Sequence, residues 1–94
     1  MKYKSLTVEQ LSNVARGVEG SLTVLFGDDN FSTFVGVGTD PAQIAVMVTR
    51  DSVKCVAGLS SQALADATED TLATLHSAVA YQAYQEWNLR SRRH

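Results

Sequence analysis

The stretch GVEGSLTVLFGDDN, residues 17–30, decides the fold. Gly20 stands where a helix commonly places a left-handed C-terminal residue. Residues 21–26 then alternate, with Leu22, Val24 and Phe26 falling on one side at the two-residue period of a strand. Gly27, Asp28, Asp29 and Asn30 follow as a cluster of turn formers. Residues 31–37 alternate again, with Phe31, Thr33, Val35 and Val37 together. Read this way, a helix ends near Glu19, and a hairpin with Phe26 facing Phe31 opens a sheet.

Upstream, Thr7-Val8-Glu9-Gln10 fits a capping box. The Thr7 hydroxyl can accept from the Gln10 backbone N–H, and the Gln10 side chain can reach back to Thr7. Leu6 and Leu11 occupy the hydrophobic-staple positions around it. Val8, Leu11, Ala15 and Val18 recur at helical spacing, so the expected first helix covers residues 8–19.

Downstream, residues 44–50 and 53–59 are β-branched and apolar, separated only by Asp51 and Ser52. Pairing Arg50 with Val53 puts Ile44, Val46 and Val48 on one face with Cys55, Ala57 and Leu59. From residue 60 onward the sequence has no glycine or proline. Ser60 or Ser61 can cap a first turn, and Asp66-Ala67-Thr68-Glu69 resembles a second start after a kink. Leu64, Thr68, Leu72, Leu75 and Val79, then Ala83, form a stripe that carries a long helix to about Leu89 or Arg90. The expected fold is α+β and occupies residues 1–94 as one domain. It comprises an N-terminal helix, a four-stranded antiparallel meander and a long C-terminal helix, with both helices on one face of the sheet.

The bulk composition limits the function. Of 94 residues, 45% are hydrophobic and 19% charged, an ordinary globular balance. The net charge of −2 is unevenly spread. Lys2 and Lys4 lie at one end and Arg90, Arg92 and Arg93 at the other, whereas the body holds all ten acids with only Arg16, Arg50 and Lys54. One cysteine, Cys55, excludes a disulfide framework within the chain. With neither a signal-peptide pattern nor an apolar run long enough for a membrane span, the expectation is a cytoplasmic protein without a membrane partner.

Chemical motifs are sparse. Gly36-Val37-Gly38 follows a strand, but Pro41 stands at the sixth position of a dinucleotide fingerprint and strand-like Ile44 comes too soon for the required helix. The segment reads as a turn, with Asp40-Pro41 starting it. Cys55 and His76 are the one candidate nucleophile and base, and the register directs Cys55 into the core. Adding His94 gives too scattered a set for a metal site, and Asp28-Asp29-Asn30 lacks the alternate spacing of a calcium loop. No catalytic residue, cofactor or metal is expected.

Two surfaces remain. The second face of the sheet should show Leu25, Phe34, Met47 and Val56 among small and polar residues, although a free antiparallel face is normally polar; such patches mark interfaces. The C-terminal segment YQAYQEWNLRSRRH spaces Tyr81, Tyr84 and Trp87 three apart, ahead of Arg90, Arg92 and Arg93. The first expectation is a non-enzymatic protein-interaction module that forms a homodimer or caps a partner. Small adaptors, inhibitors and assembly factors, phage-encoded ones among them, fit it. Leu25, Phe34, Met47 and Val56 would carry contact, with Tyr81, Tyr84 and Trp87 second. A nucleic-acid binder using the aromatics and arginines is the alternative. A small-molecule binder or enzyme with a pocket near Cys55 and His76 is the third reading.

Overall fold

The computed structural model describes residues 7–37 and 42–92. The order is α1 (Val8–Phe26), β1 (Ser32–Val37), β2 (Gln43–Arg50), β3 (Val53–Ser60), α2 (Ser61–Ala65) and α3 (Glu69–Ser91). The capping box at the start of α1 forms in full: Gln10 N–H donates to Thr7 Oγ1 at 3.1 Å, and Thr7 N–H to Gln10 Oε1 at 2.8 Å. Leu6, one half of the expected staple, lies outside the described residues.

The four-stranded meander is corrected to three strands. Residues 21–26 do not form a strand; α1 runs through Gly17 and Gly20 without a break and ends at Gly27. The physical reason is the phase of its apolar residues. Val14, Val18 and Leu22 recur every four positions and are all buried, with Leu11 and Leu25 packed beside them. Val24, which alternation would bury beside Leu22, is 82% exposed. The left-handed residue that closes the helix is Gly27, at φ 79°, whose N–H donates to the Thr23 carbonyl at 2.9 Å. Gly20 is an interior helical glycine, so the hairpin expected between Phe26 and Phe31 becomes a helix-to-strand connection. The two rings still meet, with centroids 5.7 Å apart.

The sheet is antiparallel in the order β1-β2-β3. Arg50 pairs with Val53 as the sequence implies. Between them Asp51 and Ser52 both have positive φ, 51° and 67°. Two such residues match the twist of the flanking strands in a two-residue hairpin. Ile44, Val46, Val48, Cys55, Ala57 and Leu59 form one face, every member at most 5% exposed. α1 packs across β1, α3 packs across β3 and β2, and the two helices pack on each other. Both therefore lie on that one face.

The kink expected near Asp66 is a full break. α2 is capped by Ser60, whose Oγ accepts from Ala63 N–H at 3.3 Å, and stops at Asp66. α3 restarts from Thr68, which exchanges hydrogen bonds with Thr71. Thr68 is thus an exposed cap and leaves the expected stripe. The inner side of α3 is carried by Leu72, Leu75, Val79, Ala80 and Ala83, with Tyr84 packed at the core margin.

Candidate functional site

Among the described residues no helix lies on the second face of the sheet. The register places Phe34 opposite Met47 and Met47 opposite Val56, so the three side chains form one row across all strands. Phe34 is 69% exposed and Val56 55%, with Met47 half-buried between them. Their neighbours on this face are Ser32, Gly36, Ala45, Thr49, Lys54 and Gly58. The Phe34 ring lies back along its own strand. A methyl group built on Gly36 would stand 3.1 Å from Phe34 Cε1, tighter than most such contacts, so glycine leaves the room that the ring uses.

Leu25, expected in the same row, is elsewhere. It belongs to α1, is partly buried against the core, and borders a shallow groove of about 510 Å³ with Ser21, Val24, Ser77 and Tyr81. Its removal from the row follows from residues 21–26 being helical.

The C-terminal aromatics divide. Tyr81 is 52% exposed and stacks on Tyr84 at 6.4 Å. Tyr84 and Trp87 turn inward onto Phe26, with ring centroids 5.3 and 5.4 Å away. The Trp87 indole N–H donates to the Arg50 carbonyl at 3.0 Å. The Arg50 guanidinium lies 4.3 Å from the Phe26 centroid and 5.2 Å from that of Trp87, a cation–π arrangement. It also forms a two-pronged pair with Asp28, at 2.6 and 3.1 Å. The hydrogen bond from Arg50, followed by one from the Asn30 backbone N–H, holds the Asp28 carboxyl down at about 2, against a smaller opposing effect of desolvation. This cluster ties the end of α1, the β2–β3 turn and α3 together. Its hydrogen-bonded pairs are 22 and 37 residues apart, and no local pattern in the sequence announces it.

The three expected nucleic-acid contacts are not equivalent. Arg90 Nε donates to Glu86 Oε1 and its Nη1 to the Lys54 carbonyl, both at 2.8 Å, which fastens it to the outer side of β3. Arg92 is exposed at the end of α3. Arg93 lies outside the described residues.

Cys55 is fully buried on the helix-covered face, and burial pushes its thiol up, away from the thiolate that nucleophilic chemistry requires. His76 lies against α1 at Gly17, where an added methyl would collide with the imidazole. Burial lowers the His76 pKa, and its Nε2 has no hydrogen-bond partner among the described residues. No hydrogen bond joins Cys55 to His76 among the described residues. Among the same residues no group of three His, Cys, Asp or Glu side chains could hold a metal ion. Gly36 and Val37 belong to an antiparallel strand rather than to a phosphate-binding turn, and Gly38 to Pro41 lie outside the described residues. No described helix is long and apolar enough to cross a membrane.

No family model, curated protein or solved structure matches this chain.

Proposed function

We propose that the chain is a small non-enzymatic protein-interaction module that associates with a second copy of itself around Phe34. Met47 and Val56 extend the contact surface, and roles as an adaptor, inhibitor or assembly factor follow naturally from such a unit. One observation carries the reading: three apolar side chains form a continuous row on a sheet face that no described helix covers. Burying apolar area gains about 25 cal/mol per Å², and among the described residues no helix shields this row from solvent. A second copy suits the surface because the row and its flanks carry a single charge, Lys54, at the margin, so two copies meet without opposed like charges in the centre. The nucleic-acid reading is weaker, since Trp87 and Arg90 are engaged within the chain.

Native mass spectrometry of the wild type and of Phe34→Glu tests the reading. The expected result is a wild-type dimer and a monomeric variant with an unchanged circular dichroism spectrum, because an exposed side chain contributes little to the fold. A dimer that survives Phe34→Glu sinks the proposal.

A further inference from the structure

The two edges of the sheet are built differently. Pairs in an antiparallel ladder alternate between those that exchange hydrogen bonds and those that do not. The Arg50–Val53 pair closes a two-residue hairpin, which makes it a bonded pair. Counting along the register, Lys54, Val56 and Gly58 turn their backbone groups to the outer side of β3. On β1, Thr33, Val35 and Val37 do the same.

The outer side of β3 is guarded. Lys54 stands on it, and Arg90 donates to the outward Lys54 carbonyl. Charged side chains and covered carbonyls are how sheet edges avoid unwanted pairing. β1 has neither. Its sequence, STFVGV, contains no charge and no proline, and among the described residues nothing pairs with its outer side. Such an edge is a template for another strand.

We infer that β1 pairs antiparallel with β1 of a second copy about a two-fold axis at Val35, joining two sheets into one of six strands. This rests on the self-association reading above and places the contact at the sheet edge beside the open face, through Phe34. In this register Thr33 exchanges hydrogen bonds with Val37 of the other copy, and Val35 with its own equivalent, so every outward group of the strand finds a partner. Phe34 then stands directly opposite the second copy's Gly36 in a non-bonded pair, where side chains approach most closely. Within one chain the Phe34 ring lies against its own Gly36; in the pair each ring turns across the seam to the second copy's glycine, where no side chain stands in its way. The axis repeats this contact, so each copy supplies one ring and one glycine. No charge opposes another along the seam. An equivalent pairing of β3 with itself would have to displace Arg90 from the Lys54 carbonyl.

Val37→Pro tests the geometry. Proline removes the outward Val37 N–H and leaves the hydrogen bonds to β2 intact, a position edge strands tolerate. Two hydrogen bonds per dimer are lost, and the dissociation constant measured by sedimentation should rise roughly tenfold to a hundredfold, with circular dichroism unchanged. As a second measurement, Phe34→Cys and Gly36→Cys proteins are oxidised separately and mixed. The expected intermolecular disulfide forms only in the mixture, since position 34 faces position 36 of the other copy and neither faces its own equivalent. A wild-type dimer unaffected by Val37→Pro, with no crosslink specific to the mixture, overturns edge pairing and leaves self-association through the sheet face standing. A monomeric wild type overturns both.

Discussion

Gly17 and Gly20 sit about one turn apart on α1, and the missing side chain means opposite things at the two. At Gly17 the helix comes so close to α3 that a methyl group would occupy the space of the His76 ring. At Gly20 nothing lies within 4 Å of where a methyl would be. One glycine permits a helix–helix contact; the other is a weak point in a helix that continues in spite of it. The same division separates Leu22, which is fully buried, from Val24, which is 82% exposed two residues later. Residue type does not distinguish the members of either pair. What separates them is the direction each position faces once α1 is a single uninterrupted helix.

The largest expected effect tests that division directly. Leu22→Ala should cost about 2–5 kcal/mol in a urea titration, as truncations of buried leucine do, whereas Val24→Ala should change stability by no more than about 0.5 kcal/mol. A strand over these residues would bury both, so comparable losses would break the comparison. Next comes Gly17→Ala. Overpacking costs about 1–3 kcal/mol, which outweighs the roughly 1 kcal/mol of helix propensity gained, and a net loss is expected. The same substitution in a His76→Ala background should instead stabilise, because the ring it collides with is gone. Gly20→Ala follows with the opposite sign, a gain of about 0.5–1 kcal/mol.

The smallest effect belongs to the pair just beyond the helix end. Asp28 is held near 2 in the folded chain, below its ordinary 3.8. Its contribution to stability is therefore complete above 3.8 and is lost as the pH falls through about 2. Asp28→Asn removes that dependence, so its stability should decline less than that of the wild type over the same acid range. The pair is partly open to solvent, which keeps the difference modest.

Much of this architecture is legible because it rests on neighbours in sequence. The Thr7–Gln10 box is written within four residues, and the two-residue link between Arg50 and Val53 fixes the pairing of β2 with β3. That register in turn assigns Met47 and Val56 to the face that stays open, and places Phe34 beside them through β1. The second half of α1 was misleading because Leu22, Val24 and Phe26 satisfy a two-residue period by coincidence, while Gly20 imitates a helix stop. The competing signal was present in Val14, Val18 and Leu22, whose four-residue spacing passes through Gly20 in phase, with Gly27 as a better-placed terminator. Leu25 left the open-face row for that reason alone. The Asp28–Arg50–Phe26–Trp87 cluster lies beyond local reading. It depends on three elements meeting, and a tryptophan three residues from a tyrosine on α3 says nothing about an arginine at a hairpin turn 37 residues earlier.

The chain has a single thiol, and Cys55 has no exposure to solvent. A thiol-specific reagent added to the folded protein can react only when the sheet and its helices separate, so the labelling rate reads the frequency of that opening. The protein thus carries its own clock for unfolding, at the centre of its core and without any introduced probe.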